Sequence, residues 1–414
     1  MHCSGRLTDH SLIPDSALMA AASETTAPSC RLHPRQRAWV EIDEGAISRN
    51  ARSLRAFLAP GCELMAVVKA DGYGHGALPV ARAALQGGAG SLGVATLQEG
   101  VELRQAGIQA PLLVMGNLVQ PEDLAHCLHW GLMPTISSSR EAQLCQNLAT
   151  GSGRTMAVHL KLDTGMARLG VAWAEGAKLL AFLNQLDAVA VGGVYSHLAG
   201  ADAADGGVSG LTALQQQRFD SALQAMGRAD LSTGRRHLAN SAGTLRCPTL
   251  HYDLVRVGLA LYGHSPAPHL AGCLPLAPAM AVRARVTLLR DVPAGVGVSY
   301  GHRFQTNRPS RLAVVAIGYA DGVPRQLSDQ MDVLFAGTRL PQLGAITMDQ
   351  LMIDATDCPQ LAVGSVVTLL GRDGGLAIAP QQWAEACGTI AWEILCGFKH
   401  RLPRLLAGES RLER

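Results

Sequence analysis

The chain has 414 residues, a formal net charge of +2, 16% charged residues and 48% hydrophobic ones. That is enough chain for two domains and a substantial core, and it is too apolar for intrinsic disorder. Near-neutral charge, with no basic block or aromatic stripe, argues against a nucleic-acid partner, and no apolar run approaches the roughly 20 residues that span a bilayer.

The first 37 residues mix Ser, Thr, Pro and Ala with Arg31, Arg35 and Arg37. They read as a flexible tail, with Met19 as a second candidate start. The apolar stretch 17–22 is too short and weak for a good signal-peptide core, so an export signal is the minority reading. Ten cysteines lack metal-ligand or disulfide-framework spacing. Cys127, Cys145 and Cys396 fall in helical apolar patterns and read as reduced core residues of a cytoplasmic protein.

An early strand, 38–42, precedes a long alternating region and is a candidate to pair with the later β region. Short apolar runs follow at 63–68, 91–96, 111–116, 133–137, 157–162, 191–197, 236–241 and 255–262. Amphipathic stretches lie between them at 77–85, 98–106, 121–130, 139–149, 173–185 and 215–226. Eight strands alternating with helices predict a (β/α)8 TIM-type barrel, with a doubly wound sheet as the alternative. Lys69, Asp163 to Arg168, His197 and Asn240-Ser241 all fall at carboxyl ends of predicted strands, which favours the barrel. After about residue 274 the pattern changes to alternating runs at 280–289, 311–317, 331–335, 343–348 and 365–370, broken by tight turns. This predicts a C-terminal, mainly antiparallel β domain over 275–414, after a barrel over 38–274. Short helices at 380–387 and 390–397 close the chain.

The richest stretch is Ala66-Val67-Val68-Lys69-Ala70-Asp71-Gly72-Tyr73-Gly74-His75-Gly76. A lysine at the end of a buried strand is desolvated, which lowers its pKa and suits a Schiff base. The glycines that follow can bring backbone N–H groups to an anion, helped by the next helix N-terminus. Alone, the stretch reads more readily as an ordinary strand-turn-helix with a surface lysine.

Further pieces recur in order: Lys161-Leu162-Asp163-Thr164-Gly165-Met166, Arg168-Leu169-Gly170, Ser196-His197, Ala239-Asn240-Ser241, Val255-Arg256-Val257-Gly258, Ser299-Tyr300-Gly301, Gly318-Tyr319-Ala320-Asp321-Gly322 and Met348-Asp349-Gln350. Over roughly residues 38–408 this ordered set resembles the alanine racemases, fold-type III enzymes that use pyridoxal 5'-phosphate. The resemblance implies that Lys69 carries the cofactor and moves the Cα proton on one face of the amino acid, with Tyr300 as the base on the other. It implies a chain from Tyr300 to His197 to Arg256, with Arg256 facing the pyridine nitrogen. An arginine stays protonated and cannot take the ring proton. A simpler role for Arg256 is an ion pair with Asp253.

The same resemblance assigns Tyr73, Ser241 and Gly258 to the phosphate, with Asn240 beside them. Helix capping is the simpler role for Ser241. Arg168 matches a residue meeting the cofactor oxygen and substrate carboxylate. Lys161 matches a lysine often carbamylated. Met348 matches a backbone N–H on the carboxylate, Asp349 would support that loop, and Tyr319 would line the entrance. Barrel and β domain each hold part of the set, which implies assembly, and the resemblance implies a head-to-tail homodimer with two shared sites.

Three positions depart from the family pattern. Trp392 stands where a phosphate-binding tyrosine is usual and offers one N–H of different reach. Ala167 replaces a glycine, and Asp71-Gly72 replaces Asn-Ala or Asp-Ala. Alternatives are a broad-specificity amino-acid racemase, a decarboxylase on the same fold, which Arg256 argues against, and a cofactor carrier, which the β domain argues against. D-alanine supply for peptidoglycan or alanine catabolism would be the role.

Overall fold

The computed structural model describes residues 35–204, 210–398 and 400–407. Of the expected tail over 1–37, residues 1–34, with Met19 and Arg31, lie outside the described residues, as do those after 407. Arg37, assigned above to the tail, is instead tied down: its guanidinium donates to both oxygens of Asp321 at 2.7 and 2.6 Å.

Strand β1 (Ala38–Ile42) leads into a helix, Glu44–Phe57, whose first turn is capped by Asp43 accepting from Ala46 N at 2.8 Å. Eight strands then form the barrel: β2 (Glu63–Val67), β3 (Ser91–Val94), β4 (Leu112–Asn117), β5 (Met133–Ile136), β6 (Met156–Asp163), β7 (Val189–Tyr195), β8 (Arg235–His237) and β9 (Leu254–Val257). Their order is β9-β2-β3-β4-β5-β6-β7-β8, with every pairing parallel. Two backbone bonds cross the β8–β9 seam, Asp253 N to Arg236 O and Arg256 N to Ala239 O, each 3.0 Å. Closure decides for the barrel over the doubly wound sheet.

The last barrel strand is shorter than expected. The run 255–262 divides into β9 and a 3-10 turn, Leu259–Tyr262, because Gly258 lies outside both strand and helix geometry. Among the described residues, no long helix comes between β9 and the β domain. The helix Glu44–Phe57 fills that place, packing on Ala77–Gln86 and on the 3-10 turn.

Strand periodicity sorts side chains to the two faces of the barrel wall. In β6, Val158, Leu160 and Leu162 join the large core under the helices. His159 and Lys161 alternate with them and are buried on the other face, inside the barrel. Met65, Leu113, Tyr195 and Leu254 form a small separate core there.

The β domain is built around β10 (Met280–Val292). It is followed by β11 (Ser310–Val315), β12 (Asp332–Phe335), β13 (Thr338–Leu343), β14 (Leu351–Asp354), β15 (Val366–Asp373), β16 (Leu376–Ile378) and β17 (Arg404–Leu406). The first half of β10 pairs with β1 and β15. A bulge between Val286 and Leu288 turns its second half onto β11. The pairings β10-β11-β14-β13-β12-β15 return to β10 as a closed antiparallel circuit. The expected strand 343–348 is corrected: residues 344–350 form a loop between β13 and β14. Gly344 sits at φ 72°, where a strand cannot continue, and Ala345 and Ile346 are buried within the loop. Cys127 and Cys145 are buried free thiols, but Cys396 is exposed.

Asp321 is fully buried and also accepts from Gly318 N at 3.0 Å, so one carboxylate locks the turn carrying Tyr319. Asp321→Ala is expected to lower stability by about 2–4 kcal/mol, since charged hydrogen bonds are lost and Arg37 remains. Chemical unfolding followed by circular dichroism checks this, and a change under about 0.5 kcal/mol would sink it.

Candidate active site

Lys69 follows β2 after the single residue Val68, and the next four residues turn the wrong way for L-amino acids. Ala70, Asp71, Gly72 and Tyr73 have φ of 53°, 50°, 59° and 53°. Such a left-handed turn costs on the order of 1 kcal/mol for each non-glycine residue. Gly72 carries no such cost, which gives Asp71-Gly72 its local reason. Side chains hold the turn. Glu99 accepts from Ala70 N at 2.6 Å with one oxygen and from Ala95 N and Thr96 N with the other. Buried His75 donates through Nδ1 to the carbonyls of Gly72 and Tyr73, both at 3.0 Å. Asp71 accepts from Ala77 N at 2.8 Å. This N–H at the start of the next helix is therefore taken by Asp71.

Burial lowers the Lys69 pKa below its ordinary value, and Arg168 reinforces the shift. The same causes act more strongly inside the barrel. Lys161 is lowered to about 7 by burial and by Arg256, Arg168 and Lys69. Arg168 itself is exposed, on a loop held by one acceptor: Asp163 Oδ1 takes the N–H groups of Gly165, Met166 and Ala167 at 2.9, 3.0 and 3.1 Å. Ala167 adopts φ 54°, so the missing glycine leaves local strain beside Arg168.

Arg256 is 3% exposed and projects from β9. Asp253 is not its partner; that carboxylate binds Arg236 in a two-pronged pair at 2.7 and 2.6 Å. Arg256 donates to neutral acceptors only. Nη2 reaches Ser196 O at 2.7 Å, Leu238 O at 3.2 Å and His197 Nδ1 at 3.2 Å. Nη1 reaches His237 Nδ1 at 3.0 Å and His237 O at 3.2 Å. Tyr195 lends a ring face to Arg256 and to Lys161, each 5.0 Å from its centroid. Burial lowers the guanidinium pKa only to about 10, so it stays charged near neutrality.

Ser241 does not cap its helix. Asn240 does, accepting from Gly243 N at 3.0 Å while its amide donates to Leu198 O at 3.4 Å. Ser241 Oγ instead accepts from Gly258 N at 3.1 Å and Ala260 N at 3.3 Å. The Tyr73 hydroxyl completes this corner: a Cβ on Gly258 would lie 2.4 Å from it. Trp392 packs against both the barrel and the β-domain cores, and no hydrogen bond joins its indole N–H to another described residue.

The remaining candidates lie on the β domain and face outward. Tyr300 is 70% exposed, Met348 53% and Tyr319 40%. Asp349 binds Arg401 at 2.7 Å, which ties the Met348 loop to the chain end. Among the described residues, no hydrogen bond or ring contact joins Tyr300 to His197 or Lys69 within one chain. The sequence reading overlooked His159, Tyr195, His237 and Glu99. Its available signal was the alternation Val158-His159-Leu160-Lys161-Leu162-Asp163, a polar residue at every inward position.

Residues 42–266 match the family model for the alanine racemase N-terminal domain, and 279–406 that for the C-terminal domain. The chain is 56% identical to the alanine racemase of Prochlorococcus marinus, over 92% of this chain and 99% of that one. It is 52% identical to that of Synechocystis, over 90% and 99%. Among solved structures, the alanine racemase of Streptomyces lavendulae superposes with a TM-score of 0.83 at 38% identity, covering 91% and 99% of the two chains. That of Bartonella henselae, with covalently bound pyridoxal phosphate, gives 0.79 at 32%, covering 89% and 99%. With both domain models matched in order and relatives this similar along nearly their whole length, the chain belongs to the alanine racemase family, whose members depend on pyridoxal phosphate.

Proposed function

We propose that this chain interconverts L- and D-alanine with two proton-transfer groups, Lys69 and the Tyr300 of a second copy of the chain. The observation that carries the reading is the buried, carboxylate-free Arg256 bonded to His197 at the end of the barrel where Lys69 emerges. The residues fit the cofactor. Tyr73, Ser241, Gly258 and Ala260 form a corner of hydroxyl and N–H groups suited to a phosphate. Lys69 would hold the aldehyde carbon, and Arg256 would meet the pyridine nitrogen as a donor. Bound pyridoxal phosphate supplies the electron sink that makes the alanine Cα proton removable.

The protein moves that proton. Lowered basicity raises the neutral-amine fraction of Lys69, the direction a base near neutrality requires. Arg256 is donor-only, so the His197 Nδ1 that accepts from it carries a lone pair and the His197 proton sits on Nε2. That N–H is free to stabilise a phenolate, which a tyrosine needs to act as a base at neutral pH. Arg168 and the Met348 backbone N–H would hold the substrate carboxylate. Tyr319 would narrow the entrance, with Asp349 and Asp321 steadying both loops.

The exposed Tyr300, Tyr319 and Met348 support a head-to-tail homodimer in which the β domain of one copy closes the barrel of the other. The domain division near residue 274 and a cytoplasmic setting belong to the same reading. Among the described residues no helix is long and apolar enough to cross a membrane.

Mixing tests the shared site. Lys69→Ala and Tyr300→Phe proteins are each expected to be nearly inactive in α-proton exchange in D2O with enantiomer analysis. Unfolded and refolded together, they should recover about a quarter of wild-type activity, since half the dimers are mixed and each holds one intact site. No recovery would rule out the shared site. Turnover of serine, lysine or arginine comparable to alanine would move the protein to the broad-specificity class.

Lys161, with its pKa near 7 and cations around it, is set up to become a carbamate anion that orients Arg168. After equilibration with 13C-bicarbonate, a carbamate resonance is expected at pH 8. It should fade as pH falls through about 7, where the amine protonates, and be absent from Lys161→Arg. No Lys161-dependent resonance at pH 8 would refute this.

Trp392 would offer the phosphate one N–H of different reach from a tyrosine hydroxyl, and weaker holding of the cofactor is the proposed consequence. Trp392→Tyr is expected to tighten cofactor binding several-fold, about one neutral hydrogen bond, read by titrating the apoprotein. Unchanged affinity would count against weaker holding by tryptophan.

A further inference from the structure

Two buried histidines inside the barrel are absorbed by no role given so far. His237 is fully buried on β8 and His159 is 3% exposed on β6. His237 Nε2 lies 2.9 Å from His159 Nδ1, and His237 Nδ1 lies 3.0 Å from Arg256 Nη1. The Tyr195 ring stacks on the His237 ring at 4.7 Å and 7°.

The proton positions along this line follow from one fact. A guanidinium only donates. His237 Nδ1 must therefore be the acceptor, so a neutral His237 carries its proton on Nε2. That N–H points at His159 Nδ1, which must accept in turn, placing the His159 proton on its own Nε2. The line runs one way: Arg256 to His237 to His159. A proton added to either Nδ1 would set two donors face to face.

The surroundings keep both rings neutral and in place. Burial and the Arg256 charge depress both basicities, His159 to about 4 and His237 well below its ordinary value. Thr135 donates to Val114 O, so the Tyr195 hydroxyl donates to Thr135 at 2.7 Å, which anchors the ring stacked on His237. Gly193 and Gly192 make room for His159, since a Cβ on either would lie 2.7 or 3.0 Å from its ring nitrogens. At the far end His159 lines a cavity of about 660 Å³ at the amino-terminal mouth, ringed by residues such as Glu63, Ser91 and Arg235.

We propose that His159 and His237 are positioning residues, a one-way pair of neutral imidazoles that sets the orientation of Arg256 from the opposite end of the barrel. The pair makes Arg256 present its remaining edge to His197 and to the cofactor ring, without the carboxylate that would change what the ring nitrogen meets. The step to activity rests on the proposed reading of Arg256; the proton arrangement does not.

The test uses the full-length holoenzyme with 15N-labelled histidine, its ring signals assigned by the substitutions themselves. Both rings are expected as the Nε2–H form throughout pH 6–9. His159→Leu removes the acceptor and should release His237 into a mixture of forms, shift the cofactor absorption band, and lower kcat about tenfold, roughly one hydrogen bond, with little change in KM. His159→Asn places an oxygen near the lost Nδ1 and should restore all three. A wild-type His237 protonated on Nδ1, or a His159→Leu enzyme with unchanged band and kcat, would overturn the proposal. Failure of the wild-type holoenzyme to racemise alanine would instead overturn the functional reading, whatever the ring signals show. Should His159→Leu fail to fold, the wild-type ring signals and the His159→Asn enzyme still decide.

Discussion

A guanidinium sealed inside the barrel with no carboxylate against it is the constraint from which the rest of this site follows. Removing such a charge from water costs several kcal/mol unless its donors are met. Arg256 meets that cost with three carbonyls and two imidazole nitrogens, each charged hydrogen bond contributing about 1.5–3 kcal/mol. The carbonyls come from Ser196, His237 and Leu238, at or just past the ends of β7 and β8. The barrel therefore has to close in register for the charge to be tolerated. The acidic residue nearest in sequence, Asp253, is turned outward to Arg236. Because the positive charge is not cancelled, it spreads: Lys161, Lys69 and His197 all lose basicity to burial with Arg256 among the causes. One uncompensated cation tunes a neighbourhood of amines and imidazoles toward their neutral forms.

The second constraint is strain beside Lys69. Three non-glycine residues in left-handed geometry are unfavourable by themselves, and of the three only Tyr73 packs into the hydrophobic core, against Tyr262. What holds them is a set of polar ties: Glu99 across from the next loop, Asp71 onto the next helix, His75 beneath. The effect is to send the Tyr73 side chain back toward Gly258 while Lys69 stays at the strand end. A relaxed right-handed turn would carry Tyr73 elsewhere. In the proposed site, lysine and tyrosine four residues apart would thus serve two ends of one cofactor.

Much of this was legible in the sequence, for identifiable reasons. Barrel strands covered by helices are apolar enough to stand out, and motifs at their carboxyl ends mark one face. Lys69, Arg168, His197 and Arg256 could be picked out because each sits in a short pattern. The interior pair His159 and His237 could not, because alternating polar residues look like a strand with one wet face. Only closure of the sheet turns that face into an interior. The apolar run 343–348 misled for the converse reason: Ala345 and Ile346 are buried, but in a loop whose direction Gly344 changes. Cys396 followed the helical pattern and still came out exposed, since its helix is short and only one side of it is covered.

The same logic of donors and acceptors supports the proposed sharing of sites between two copies. His197 gives its Nδ1 lone pair to Arg256, so the imidazole presents an N–H on its other side, and among the described residues nothing accepts it. Within the proposed assembly that N–H meets the Tyr300 oxygen of a second copy. The pairing would serve both partners, since a phenolate gains a donor and a half-buried N–H gains an acceptor. A tyrosine from the same chain would need the β domain folded back over its own barrel mouth. Instead β1 and β17 pair beside β10 and fix that domain by its strands, with Tyr300 facing outward. In the proposed assembly the partner copy is therefore the source of the second base.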